Sequence, residues 1–139
     1  MIDEQDQKPQ QKGNTGFLRV VKAAGYSTQG LKAAWQHESA FRQELSSGIV
    51  LVPLAYWLAE TWMQLLFMMA ACMLVLITEL LNSAIETVVD RISVEQHTLA
   101  GRAKDIASAA VALAIVLVVI SYVSVALERF APLSPAGSP

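Results

Sequence analysis

The chain has 139 residues, 54% of them hydrophobic and only 16% charged, with a formal net charge of −2 and a mean hydropathy of +0.43. A soluble domain of this size carries about a quarter charged residues, so the composition excludes a disordered chain and an ordinary soluble enzyme, and the absence of a basic field argues against nucleic acid as a partner. One cysteine, Cys72, excludes an internal disulfide, and no Cys/His spacing reads as a zinc site.

Residues 1–14 are polar and begin acidic, with no apolar run behind them. They are expected to form a disordered tail without a cleavable signal peptide. From about 15 to 35 an amphipathic surface helix is expected. Phe17, Val20, Val21 and Ala24 fall at i, i+3, i+4 and i+7, with Arg19 and Lys22 between them. Such a helix lies in the plane of a membrane interface. Gly25 and Gly30 bracket an expected break. The pattern resumes at Leu31, Ala34 and Trp35, and its next apolar position is filled by an acid, Glu38. That carboxylate is either a snorkelling interfacial group or part of a site. The stretch GYSTQGLK at 25–32 is no phosphate loop, because Leu31 separates Gly30 from Lys32 and no strand precedes it.

Three stretches lack Asp, Glu, Lys and Arg: 15 residues over 45–59, 18 over 61–78 and 22 over 106–127. A spanning helix needs about 17–25 mostly apolar residues. The third run meets this, and the second is just long enough. The first gains length at its ends and joins the second through a short turn near Glu60, flanked by Trp57 and Trp62, as interfacial aromatics are. Three transmembrane helices are expected, at about 40–59, 62–92 and 103–128. Nine of the ten Lys and Arg residues fall before or at the start of the first span, or in the loop between the second and third and the span ends that flank it. This bias places the N-terminus and the second loop in the cytoplasm.

The second span carries ELLNSAIETVVDRIS at 79–93. Glu79, Asn82, Ser83, Glu86 and Asp90 sit at offsets 0, 3, 4, 7 and 11, one face of a helix. Ionisable groups inside a membrane are expensive and mark functional sites by default. Glu79 and Glu86 lie about 10 Å apart along the axis, too far for a simple pair on one cation. The deeper Glu79 suits a general base, and the shallower acids suit a metal carrying a water-soluble substrate. The competing reading is a polar seam that glues helices together.

In the following loop, Glu95 and His97 offer hydrogen bonds, and Arg102 and Lys104 can meet phosphates, although a solvated loop with positive-inside cations has the same composition. In the third span Ala110 and Ala114 form a small-xxx-small pair, which allows close helix packing. Three short helices bury little alone, so a homo-oligomer is expected. Cys72 and the methionines at 63, 68, 69 and 73 read as packing or lipid contacts. Residues 131–139 are rich in Pro, Gly and Ser and are expected to be a disordered tail.

The segment ELLNSAIETVVDRIS, extended back through TGFLRVVKAAGYSTQGLKAAWQHESAFRQE and forward through GRAKDIASAAV, resembles the prokaryotic integral-membrane diacylglycerol kinases over roughly 15–128. The resemblance implies an all-α membrane domain over 15–130, with three transmembrane helices and a surface helix, assembled as a homotrimer in the bacterial inner membrane. It implies transfer of the ATP γ-phosphate to the primary hydroxyl of diacylglycerol, giving phosphatidic acid, with Mg²⁺ or a similar cation. By the same resemblance Glu79 is the general base, Glu38 and Glu86 hold the cation, and Asn82 and Asp90 support them. Nucleotide contacts are implied for Arg19, Tyr26, Glu38, Glu86, Glu95, Gln96, His97, Lys104 and Asp105. Lipid contacts are implied for Arg19, Trp35, Ala40, Phe41, Arg42, Gln43, Glu44, Glu79 and Ser108. Glu95-Gln96-His97 departs from the family's usual form, which has an aromatic before its His or Glu. An undecaprenol kinase on the same fold is the nearest alternative. A non-catalytic oligomeric membrane protein, using the stripe for assembly, is the alternative of a different class.

Overall fold

The computed structural model describes residues 16–92 and 97–131, without the Phe17 side chain. Residues 1–15 and 132–139 lie outside it, and with them the two expected tails apart from residue 131; so do Glu95 and Gln96. The described residues form four helices and no strand: α1 (Gly16–His37), α2 (Ser39–Leu58), α3 (Trp62–Ile92) and α4 (Thr98–Phe130). The chain divides into two compact units, residues 1–33 and 34–139.

The described part of the first unit is helical throughout. The expected break at Gly25 and Gly30 does not occur. A glycine costs a helix interior roughly 1 kcal/mol relative to alanine, which weakens the helix without ending it. Between the glycines, the Ser27 and Thr28 hydroxyls donate to the Ala23 and Ala24 carbonyls at 3.0 and 2.6 Å, so neither side chain pulls the backbone out of the helix. Leu18, Val20, Val21, Tyr26 and Leu31 are all exposed.

In the second unit the chain breaks at Glu38, whose backbone is extended (φ −105°, ψ 112°) between His37 and Ser39. Arg42 donates back to the carbonyls of Trp35 at 2.9 Å and Gln36 at 3.4 Å, which lie in the last turn of α1 and lack helical partners. The α2–α3 turn spans three residues, 59–61. The Thr61 hydroxyl accepts from the Gln64 N–H at 3.2 Å, while the Gln64 side-chain oxygen accepts from the N–H groups of Glu60 and Thr61 at 2.7 and 3.1 Å. This reciprocal capping starts α3. The Gln64 amide also donates to Glu128 of α4 at 2.9 Å. Helix α4 begins at Thr98, five residues before the expected 103, because His97 Nδ1 caps it by accepting from the Leu99 N–H at 3.2 Å.

The core runs along α3 and α4, with α2 laid against them. It contains Ala55 and Leu58, then Leu65, Met68, Ala71 and Val75, then Ala114, Val118, Tyr122 and Val125. On α4 the buried positions are Ala107, Val111, Ala114, Val118, Ser121, Tyr122 and Val125. Within the chain Ala107, Ala114 and Ser121 are buried small residues of α4, and Ala110 is exposed. Helices α3 and α4 are long and apolar enough to cross a membrane, yet only 28% and 33% of their most apolar windows are buried within the chain. Leu66, Phe67, Ile77, Leu113, Val116 and Ile120 are among the large apolar side chains left exposed. A surface of that kind marks contact with lipid or with another protein. Helix α2 has 20 residues but falls below the same apolarity threshold.

Candidate active site

The polar stripe of α3 lies on one face, and its burial falls along the helix. Glu79 is only 4% exposed and Ser83 8%. Asn82 and Glu86 are half-buried, and Asp90 is exposed. The helical period puts these residues one above another, and the packing of α3 into the bundle buries its end nearer the core. The Asn82 amide donates to a Glu86 oxygen at 3.2 Å, holding that carboxylate along the stripe. Thr87 donates to the Ser83 carbonyl at 2.8 Å.

Three acids lie near Glu79. Glu38 and Glu86 lie within electrostatic reach of it, as does Glu44 of α2. Glu38 stands at the N-cap position of α2, but its side chain makes no capping bond. Its carboxylate is therefore free for another use. Three buried polar atoms have no partner: Glu44 Oε2, Asn82 Oδ1 and Ser83 Oγ. A buried unpaired polar group costs about 1–3 kcal/mol. Among the described residues these are the buried side-chain oxygens without a partner; Asn82 and Ser83 lie about one helical turn from Glu79, and Glu44 is within its electrostatic reach. At the shallow end, Lys104 of α4 donates to Asp90 at 2.5 Å.

Glu44 also borders a cavity of about 310 Å³ among α2, α3 and α4. Apart from Glu44 and Ser47 its lining is almost wholly apolar, including Leu51, Val52, Met69, Cys72, Met73 and Ile115. At Gly48, on the cavity wall, a methyl group would meet nothing within 4 Å. Cys72 and Met73 thus line a cavity as well as filling space in the bundle.

Of the expected site residues, the structure brings together Glu38, Glu44, Glu79, Asn82 and Glu86, with Asp90 paired to Lys104. Asp105 and Ser108 are exposed on the first turns of α4, and His97 is engaged as its cap. Trp35, Ala40 and Gln43 are exposed. Phe41 is buried, and Arg42 is occupied with the end of α1. Arg19 and Tyr26 belong to the first unit, both exposed on α1. The sequence reading missed the cavity and the cap made by His97. The spacing Thr61-x-x-Gln64 was a visible sign of the turn.

Among the described residues no cluster of three or more His, Cys, Asp or Glu could hold a metal ion by itself. The donor chemistry nonetheless fits Mg²⁺. This cation prefers oxygen and is commonly held by one or two carboxylates together with substrate phosphates. Glu38 and Glu86 offer carboxylates of that kind.

The fold is all-helical among the described residues, with two helices apolar enough to cross a membrane and a polar stripe along one face of α3. The family model described as Prokaryotic diacylglycerol kinase matches residues 25–126. The Diacylglycerol kinase of Escherichia coli K12 is 53% identical over 108 residues, which cover 78% of this chain and 88% of that one. Its namesake from Haemophilus influenzae Rd is 47% identical over 104 residues, covering 75% and 88%. That from Pseudomonas aeruginosa PAO1 is 44% identical over 116 residues, covering 84% and 94%. The chain belongs to the prokaryotic diacylglycerol kinase family, and it is an enzyme, a kinase.

Proposed function

We propose that this kinase transfers the γ-phosphate of ATP to the primary hydroxyl of diacylglycerol, giving phosphatidic acid and ADP. The observation that carries this reading is Glu79: a carboxylate only 4% exposed, on an apolar helix, with Glu38, Glu44 and Glu86 in electrostatic reach. Glu79 accepts the proton of the lipid hydroxyl as its oxygen attacks the γ-phosphorus. The bond from that phosphorus to the bridging oxygen of ADP then breaks. Glu38 and Glu86 would hold Mg²⁺, which would supply positive charge against the phosphates. Asn82 keeps Glu86 oriented through its 3.2 Å hydrogen bond. Lys104 supplies a cation to the phosphates, with Asp105 and His97 beside the nucleotide. Phosphoryl transfer of this kind depends on positioning and charge neutralisation, and no glycine-rich loop is needed.

The acceptor enters from the lipid. The cavity of about 310 Å³ is apolar with Glu44 at its border, which suits an acyl chain whose glycerol end turns toward Glu44 and Glu79. Helix α3 is about 46 Å long at 1.5 Å per residue, whereas the hydrocarbon core is about 30 Å thick. Starting at Trp62, the core is used up within about 20 residues, close to Glu79. Glu86 and Asp90 then stand in the water with the nucleotide. Cation placement puts this end in the cytoplasm of a cell whose inner membrane the protein spans three times, α2 included. Assembly as a homotrimer covers part of the exposed apolar surface of α3 and α4.

The test offers radiolabelled MgATP to the purified protein in mixed micelles, with diacylglycerol and undecaprenol in separate tubes. Label in phosphatidic acid supports the reading. Label chiefly in undecaprenyl phosphate keeps the phosphoryl-transfer site and replaces the acceptor. No label in either lipid, from folded protein, overturns it.

A further inference from the structure

The Asp90–Lys104 pair joins α3 to α4 across 14 residues of sequence, and both side chains are well exposed, at 65% and 36%. An exposed pair contributes little to stability. What it does change is the freedom of Lys104, whose long stem otherwise samples many rotamers. Glu86 also acts electrostatically on Lys104, so the ammonium is held beside the upper part of the stripe. Asp90 lies one helical turn beyond Glu86, about 6 Å along the axis. A lysine ammonium has three donors, and Asp90 occupies one of them. Two remain for the oxygens of a phosphate.

We propose that Asp90 is a positioning residue, which holds Lys104 beside Glu86 so that the ammonium meets the nucleotide's phosphates already placed. This rests on the reading of ATP as phosphoryl donor. Asp90 itself touches neither the nucleotide nor the cation. Its carboxylate is committed to Lys104.

The experiment is a double-mutant cycle of Asp90→Asn and Lys104→Met, read by calorimetric binding of the Mg²⁺ complex of the non-hydrolysable β,γ-methylene analogue of ATP. Binding can be read even where turnover is lost. Asp90→Asn is expected to weaken analogue binding by roughly fivefold, the scale of one exposed charge pair, and to have no further effect once Lys104 is Met. In steady state it raises KM for MgATP and leaves KM for diacylglycerol unchanged, and Asp90→Glu recovers part of the loss. If Asp90→Asn folds poorly, Asp90→Ser serves in the same cycle. An equal loss with and without Lys104, or a parallel rise in both KM values, overturns the proposal while leaving the kinase site intact. Failure of the wild type to bind the analogue or to phosphorylate lipid overturns both.

Discussion

The Tyr122 hydroxyl of α4 donates to the Leu51 carbonyl of α2 at 2.8 Å, and Cys72 Sγ of α3 lies 3.5 Å from the same oxygen. One side chain thus ties together the three helices that surround the cavity. Its partner lies two residues before Pro53, which cannot donate to the Ile49 carbonyl and so weakens α2 locally. Tyr122→Phe keeps the ring and removes the bond. We expect a loss of about 1 kcal/mol, measured by unfolding in mixed micelles, with KM for the lipid raised more than KM for MgATP. Unchanged stability would contradict a bridging role.

At the opposite end from the acids, Arg129 donates to the carbonyls of Trp57 and Leu58, which close α2. Its guanidinium lies 5.1 Å from the centre of the Trp57 ring and 5.8 Å from that of Phe130. The lone cation on this side of the chain is therefore a cap for a helix C-terminus, where positive charge is favourable. Arg129→Ala should cost about 1.5–3 kcal/mol, the range for hydrogen bonds to a charged group. Arg129→Lys should recover less than half, because an ammonium lacks the planar guanidinium that lies over the Trp57 ring. Equal stability of all three proteins would contradict the cap.

Gly48 tests the cavity. A methyl group there meets nothing, and alanine is the better helix former by up to about 1 kcal/mol. Gly48→Ala should therefore be neutral to stabilising, with near-normal activity. Gly48→Trp fills the space and should raise KM for diacylglycerol several-fold, with KM for MgATP little changed. The same rise in both constants would disconnect the cavity from the lipid.

Glu38 and Glu86 test the cation. Glu38→Gln and Glu86→Gln remove charge while keeping shape, so each should shift the Mg²⁺ dependence of activity to higher concentrations. A titration of activity against Mg²⁺ at fixed ATP reads this. An unshifted curve in both variants would remove them as ligands.

Much of the site was legible because α3 obeys a simple period. Glu79, Asn82, Ser83, Glu86 and Asp90 share a face in any straight helix, and the limits 62–92 followed from the tryptophan at one end and the loop at the other. Glu38 stood out as an acid on an apolar face, and it lies at a break in the chain. Features that depend on several helices at once were not legible. The cavity requires the relative rotation of α2, α3 and α4. Which alanines of α4 are buried within the chain depends on the side α3 occupies: Ala107 and Ala114 are buried and Ala110 is exposed. The surface helix was expected, and only the break at Gly25 and Gly30 does not occur, because glycine propensity is a weak signal and the hydroxyls of Ser27 and Thr28 find acceptors within the helix.

The central claim is that Glu79 takes the proton from the lipid hydroxyl. The direct measurement compares wild type with Glu79→Gln for phosphoryl transfer to diacylglycerol and for binding of the Mg²⁺ complex of a non-hydrolysable ATP analogue. A positioned general base contributes about 10²–10⁴-fold. Transfer should therefore fall by at least about 100-fold in the variant, with analogue binding retained. Turnover in the variant within a few-fold of wild type would contradict the account.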